Sequence, residues 1–252
     1  MCIIAIYDTT IQQRPDRETL ERMINRNPDG VGCAWNDGEN VHFRKGLATA
    51  SEVLALYAQV ESEARCFVFH ARIATSGGVS AQKCHPFPIT ADEVELNITT
   101  YDGTRACAFH NGVFRLTPQT GLNDTQTLIK TMLAPLYRRD RYGVEAGKYH
   151  ALIQYLTRDN RFVILTPTSC YLYGTWEKAD DGVRYSNSGY KKPRYTSYKY
   201  GGGWGWDGYE YGYQTRYDDR YINHSKSNGG GSYIPTSVRL RSIAEDSKGL
   251  DK

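Results

Sequence analysis

No apolar run in this chain of 252 residues approaches the roughly 20 residues that a membrane-spanning helix needs. The N-terminus lacks a basic segment ahead of an apolar core and lacks a small-residue cleavage pattern. No signal peptide is therefore read, no membrane is expected among the partners, and a cytoplasmic location is the default expectation. Cysteine is sparse and scattered: Cys2, Cys33, Cys66, Cys84, Cys107 and Cys170 include no CxxC pair, which argues against a zinc ribbon or a disulfide scaffold. Cys33, Cys66, Cys107 and Cys170 sit among apolar residues and are expected as small, buried, reduced side chains. His70, His85 and His110 form no i, i+4 pair and join no cluster of thiols, so they are expected to order loops, with no metal and no cofactor.

Charge of one sign is also scarce, with a formal net of only +3. Residues 191–252 hold eleven Lys and Arg against seven Asp and Glu, a net of +4 that leaves the first 190 residues near −1. Any attraction to polyanions belongs to that C-terminal stretch. It also holds nine of the twenty tyrosines and ten of the 24 glycines, without a sustained helical or strand period. The division expected is a folded body over residues 1–190 and a flexible Tyr/Gly-rich tail over 191–252. Tyrosines interleaved with Arg and Lys can stack on single-stranded bases, but acidic residues interrupt every basic run, which favours a solvated tail. Docking of a separate enzyme is the other use of such a tail.

What is present in the body is an alternation of strands and helices. CIIAIY, from Cys2 to Tyr7, reads as a buried strand. Asp16 is the expected N-cap of a helix whose Leu20, Met23 and Ile24 share one face, and Asn27-Pro28-Asp29-Gly30 ends it. GVGCAW and NVHFRK flank Asp37-Gly38 as a hairpin. Ser51 is the expected cap of a helix running to about Ala64, with Val53, Leu54, Leu56, Tyr57 and Val60 on its apolar side. CFVFHARI is a further strand, and VELNITTY with RACAFHNG around Asp102-Gly103 is expected to be a second hairpin. A helix is expected over Asp124–Tyr137 with Leu128, Ile129, Met132 and Leu136 inward, and another near Ala146–Leu156. RFVILTP and CYLYGTW read as antiparallel strands, and VRYSNSGY closes the regular part. The pattern is that of an α/β layered domain rich in antiparallel pairs.

Cys2 acquires a second reactive group if Met1 is removed, and cysteine is small enough for the aminopeptidase that trims initiators. A thiol and an α-amine then share one residue, and an amine with pKa near 7.7–8.0 can act as its base. Alone, a Met-Cys start carries little meaning. Other clusters add to it. HARIATSG (His70–Gly77) follows an apolar strand, and Arg72 there can grip a carboxylate by paired hydrogen bonds or serve as a buried, paired arginine. In FHNGVF, the Asn111 amide and the Gly112 N–H can converge on a developing oxyanion, and the same pair makes a structural turn. Asp124, in NDTQTL, can cap its helix or bind an ammonium.

The order Cys2, PDGVG, HARIATSG, HPF, HNG and NDT resembles the class II glutamine amidotransferase domain of the N-terminal-nucleophile hydrolases, across roughly residues 2–190. That resemblance implies a four-layer αββα sandwich and hydrolysis of the glutamine side-chain amide. It implies that Cys2 forms a γ-glutamyl thioester while its α-amine shuttles the proton, and that Asn111 and Gly112 form the oxyanion hole. It further implies that Arg72, with Thr75 assisting, holds the substrate α-carboxylate, that Ile73 is among the substrate-binding residues, and that Asp124 holds the α-ammonium. Two departures stand out: Val31 occupies the place where many relatives carry tryptophan, and Asn123 and Thr125 flank Asp124 where threonine or serine and then serine are commoner. The 62 residues after Tyr190 are too few for the synthase domain that receives ammonia in such enzymes, so a separate acceptor enzyme or subunit is the expected partner. Two other functions remain: an N-terminal cysteine hydrolase of another amide, and a catalytically silent binding module acting through its tail.

Overall fold

The structure, a computed structural model, describes residues 1–9, 14–74 and 78–192. Within them the chain runs β1 (Ile3–Asp8), α1 (Arg17–Arg26), β2 (Val31–Asn36), β3 (Val41–Leu47), α2 (Ala50–Val60) and β4 (Cys66–Ala71). It continues through β5 (Phe87–Pro88), α3 (Glu93–Leu96), β6 (Thr100–Gly103), β7 (Cys107–Asn111), α4 (Asp124–Leu128) and, after one π turn, α5 (Ala134–Arg139). Then follow α6 (Arg141–Glu145), α7 (His150–Leu156), β8 (Arg161–Leu165), β9 (Cys170–Tyr173), β10 (Glu177–Lys178) and β11 (Arg184–Tyr185).

Among the described residues the strands form two sheets, one ordered β10-β11-β1-β4-β2-β3-β6 and the other β5-β7-β8-β9, with every paired neighbour antiparallel. Strand alternation then sorts side chains into three cores. Ile3, Ala5 and Tyr7 of β1 join Phe67 and Phe69 of β4 against Leu20 and Met23 of α1 and Val53 and Tyr57 of α2. Their alternates Ile4, Ile6 and Val68 meet Phe109 of β7 and Val163 and Leu165 of β8 between the sheets. Ala108, Phe162 and Ile164 face Leu128, Ile129, Leu133 and Ile153 on the far side. Three cores stacked in this way make four layers, αββα, which is the sandwich that the resemblance implied. It explains why CIIAIY and CFVFHA are unbroken apolar runs: strands central to such a sandwich are covered on both faces. Cys33, Cys66, Cys107 and Cys170 are buried and free, as expected.

Four local expectations are corrected. The cap of α2 is Thr49, whose hydroxyl accepts from Glu52 N while the Glu52 carboxylate accepts from Thr49 N, a reciprocal capping box; Ser51 lies inside the helix. Around Asp102-Gly103 there is no hairpin. Glu93–Leu96 is a short helix capped by Asp92, β6 pairs with β3 in the first sheet, and β7 lies in the second. The chain crosses between sheets at this point, because Asp102 bonds His42 and Arg44 on β3 while Ala106 and Cys107 enter the apolar interior. In the helix after Asp124, the π turn over Ile129–Leu133 inserts one residue into the helical period. Its inward face therefore passes from Leu128 and Ile129 to Leu133 and Tyr137, leaving Met132 exposed and Leu136 only partly buried. Pro135, which has no N–H to give, is the second residue of α5, one residue beyond the π turn. The helix expected near Ala146–Leu156 is confined to α7, because α6 ends at Glu145 and a turn through Gly147 intervenes.

The regular part closes with a turn at Ser188–Tyr190, where the Tyr190 ring stacks on Tyr185 at 3.7 Å and its carbonyl accepts from Arg22 Nε of α1. Apart from Lys191 and Lys192, the stretch expected to form a tail lies outside the described residues. Among the described residues no helix is long and apolar enough to cross a membrane.

Candidate active site

The start of β1 and the end of β4 lie side by side, with Ile3 paired to Ala71. This antiparallel register delivers the residue before β1, Cys2, to the residues after β4, Arg72 and Ile73. Cys2 Sγ lies 3.4 Å from both the backbone N–H and the carbonyl oxygen of Ile73, accepting from one and donating to the other. Burial pushes the thiol above its usual range, while the Ile73 hydrogen bond, the chain's amino group and Arg72 pull the other way. Met1 precedes Cys2 and is exposed.

A cleft opens beside this thiol, lined by Cys2, Arg72, Ile73, His85, His110, Gly112, Asn123, Asp124 and Thr125. Five separate regions of sequence converge there: the residue before β1, the residues after β4, the CHPF segment with His85, the end of β7 with the turn after it, and the start of α4. Cys2, Arg72, Ile73, Gly112 and Asp124, singled out from sequence, are thus brought together. Thr75 lies outside the described residues. Asn111 does not line the cleft; it is buried next to Gly112, its Nδ2 2.8 Å from Ser186 Oγ and its Oδ1 without a hydrogen-bond partner among the described residues.

Each motif has a local cause. The cap of α4 is Asn123, not Asp124: Asn123 Oδ1 accepts from Gln126 N at 2.8 Å, and Gln126 Oε1 accepts from Asn123 N. Asp124 is thereby left at the helix start with one oxygen on Phe114 N and the other on Thr125 N. Its charge beside the N-terminus of α4 is favourable. At Gly112, φ is +149° and an added Cβ would stand 1.9 Å from Asn160 Oδ1, so only glycine fits. Gly32 is required for a different reason: a Cβ there would lie 1.7 Å from the His85 carbonyl oxygen, so PDGVG provides the floor on which CHPF rests.

His70, His85 and His110 form a buried series, the last two of them lining the cleft, with ring centroids 4.5 Å apart for the first pair and 6.3 Å for the second. Thr125 Oγ1 joins two of them, lying 3.3 Å from His85 Nε2 and 2.9 Å from His110 Nδ1, and His110 Nε2 meets Asn160 Oδ1. Burial holds all three imidazoles below their usual range, His70 at about 3, so they are neutral at pH 7. Among the described residues no group of three or more His, Cys, Asp or Glu is placed to hold a metal.

Sequence reasoning assigned no role to several residues that shape the site. Asp29 Oδ2 accepts from Ala74 N at 2.7 Å, and Asp29 N donates to the Arg72 carbonyl, so this residue of PDGVG fixes the segment carrying Arg72. Asn187 Nδ2 donates to the Cys2 carbonyl at 2.8 Å. Ser186 exchanges backbone and side-chain bonds with Ile4 and meets Asn111. The available signal was the polar run Ser-Asn-Ser-Gly placed immediately after the short strand β11.

No family model matches the chain. An amidophosphoribosyltransferase of Methanocaldococcus jannaschii is 27% identical over 70 residues, which is 28% of this chain and 15% of that protein. Among solved structures, one described as the allosteric regulatory enzyme of purine biosynthesis is similar with a TM-score of 0.47 and 19% identity, over 74% of this chain and 42% of the other. A predicted glutamine amidotransferase from Pseudomonas aeruginosa PA01 is similar with a TM-score of 0.39 and 16% identity, over 73% and 78%. The chain thus spans less than half the length of the first of these structures. The chemistry of the cleft rests on its own residues.

Proposed function

We propose that the protein hydrolyses the side-chain amide of glutamine with Cys2 as nucleophile and passes the ammonia to a separate acceptor enzyme. The observation that carries this reading is the convergence, on one cleft, of a thiol at the second residue with one cationic and one anionic side chain, Arg72 and Asp124. A free amino acid requires such a pair, one charge for its carboxylate and one for its ammonium. The thiol supplies the group that attacks the third function of glutamine, its amide.

On this reading, loss of Met1 leaves Cys2 with a free amine that takes the thiol proton. The thiolate attacks the amide carbon, and the negative oxygen is received by the Asn111 amide and the Gly112 N–H, each such donor being worth about 10²–10³ in rate. The C–N bond breaks as the Cys2 ammonium returns its proton to the leaving nitrogen, releasing ammonia and leaving a thioester. Water, deprotonated by the same amine, then cleaves the thioester to glutamate and restores the thiol. Arg72, with Ile73 and Thr75, holds the α-carboxylate end, and Asp124 holds the ammonium. His85 and His110, which line the cleft, are held neutral by burial and so add no positive charge to it.

The test is ammonia release from glutamine by protein whose Met1 removal has been verified by intact mass. Wild-type protein should release it, Cys2→Ala should not, and protein retaining Met1 should be silent. Absence of release from correctly processed wild-type protein, alone and with candidate acceptors, would sink the reading.

A further inference from the structure

Asn111 is buried, and among the described residues its side-chain amide makes one hydrogen bond, to Ser186 Oγ at 2.8 Å. With Nδ2 directed there, Ser186 Oγ receives two donors, Asn111 Nδ2 and Ile4 N at 2.9 Å, while Asn111 Oδ1 is left buried without a partner among the described residues. The hydroxyl proton then has no use at this contact. A half-turn of the amide keeps every heavy atom in place and exchanges its oxygen and nitrogen. Ser186 O–H then donates to Asn111 Oδ1, its oxygen still accepts from Ile4 N, and the Asn111 NH₂ is released as a donor with no acceptor of its own. Buried polar groups favour the arrangement that leaves fewer of them unmet, and this one leaves one group, the Asn111 NH₂ with its two N–H donors, able to receive an anion.

We propose that Ser186 is a positioning residue that sets the orientation of the Asn111 amide, holding its oxygen and leaving its NH₂ free to serve the oxyanion of the reaction; this rests on the glutamine-hydrolysis reading above. Ser186 is suited to the task because it is itself fixed. It is 1% exposed, its N–H donates to the Ile4 carbonyl at 3.0 Å, and its side chain accepts from the Ile4 N–H. Ile4 follows the nucleophile by two residues. One serine therefore ties the backbone that carries Cys2 to the amide that receives the oxyanion, linking the two sheets at the point where bond making occurs. A serine hydroxyl both donates and accepts, so it can serve Ile4 and Asn111 together, which alanine cannot.

Steady-state glutamine hydrolysis by the full chain with Met1 removed tests this, using Ser186→Ala, Asn111→Ala and the double variant. Ser186→Ala should lower kcat about tenfold or more with KM within about twofold, the signature of an interaction made in the transition state. Asn111→Ala should lower kcat by about 10²–10³, and adding Ser186→Ala to it should cost no more than about a further twofold, since the serine acts through the asparagine. Ser186→Cys, nearly the same in size with a weak donor, covers the case in which the alanine variant misfolds, and it should fall between alanine and wild type. A Ser186→Ala enzyme within about twofold of wild type, a Cys variant fully as active as wild type, or losses that multiply in the double variant would each overturn the inference while leaving glutamine hydrolysis intact. A correctly processed wild-type protein that releases no ammonia overturns the underlying reading and the inference with it.

Discussion

Asn187 donates its side-chain N–H to the carbonyl oxygen of Cys2 at 2.8 Å, joining residues 185 positions apart. The same side chain accepts from Gly189 N, so its amide is held at both ends. The second residue of a chain ordinarily frays, and here one hydrogen bond from the closing turn restrains it. Asn187→Ala is expected to leave the fold intact but loosen Cys2. Ammonia release should drop by up to about 10²-fold, the scale on which small misplacements of reacting groups act. Labelling of Cys2 by a glutamine-like chloroketone should slow in parallel, whereas a simple alkylating agent should react as fast as before or faster. Equal slowing with both reagents would argue against a positioning role.

Asp124 carries a second expectation. Asp124→Asn keeps the acceptor for Phe114 N but removes the charge. Loss of one charge-assisted contact, worth about 1.5–3 kcal/mol, should raise KM for glutamine roughly tenfold or more. An analogue without the α-ammonium, N-acetylglutamine, should be discriminated against by wild type and much less by the variant. If the ratio of the two substrates is unchanged in the variant, Asp124 does not bind the ammonium.

The histidine series predicts how stability depends on pH. His70 titrates at about 3 in the folded protein and at about 6.5 when exposed, and His85 and His110 are displaced in the same direction by burial. The unfolded chain therefore binds more protons over that interval, and stability rises with pH there. It is fully present above about 6.5 and, for His70, is lost as pH falls toward 3, at up to about 1.4 kcal/mol per pH unit, with His85 and His110 acting in the same direction. Urea unfolding between pH 7 and pH 4 should show this fall. His70→Phe should flatten the slope; an unchanged slope would mean that His70 is not buried as the neutral form.

Gly32→Ala tests the contact between PDGVG and CHPF. The new methyl would meet backbone, the carbonyl of His85, so no side-chain rotation can relieve it. A loss at or beyond the about 1–3 kcal/mol typical of core overpacking is expected, with a fall in Tm of many degrees. Gly121→Ala makes a comparison: it has φ of +79° but nothing among the described residues within 4 Å of the added carbon, so only backbone strain should appear. A Gly32→Ala protein as stable as wild type would contradict the packing described.

Much of this was legible in the sequence because the same apolar periods that define the strands also define three cores. CIIAIY and CFVFHA could be read as strands, and Asp16 as a cap, from local chemistry alone. What failed was non-local. Asp102-Gly103 has the chemistry of a hairpin turn, yet the chain changes sheets there, and no property of two residues says which sheet the next strand joins. Met132 and Leu136 fit a regular helical period that one π turn then shifted. In the site, Cys2, Arg72, Gly112 and Asp124 announce themselves by the chemistry they can do. Ser186, Asn187 and Asp29 do not, because their contribution is a hydrogen bond to a backbone or side chain that becomes a neighbour only after folding.

The layering has a consequence for how this site can be altered. Cys2 hangs from one sheet, and Asn111 and Gly112 from the other. The gap across which the proposed chemistry must occur is therefore the thickness of the apolar filling between the sheets, set by Ile4, Ile6, Val68, Phe109 and Val163. That filling acts as a shim: a methylene added or removed there respaces nucleophile and oxyanion donors without touching either. Substitutions such as Ile4→Val or Val163→Ile, conservative by every chemical measure, would tune the rate from inside the protein.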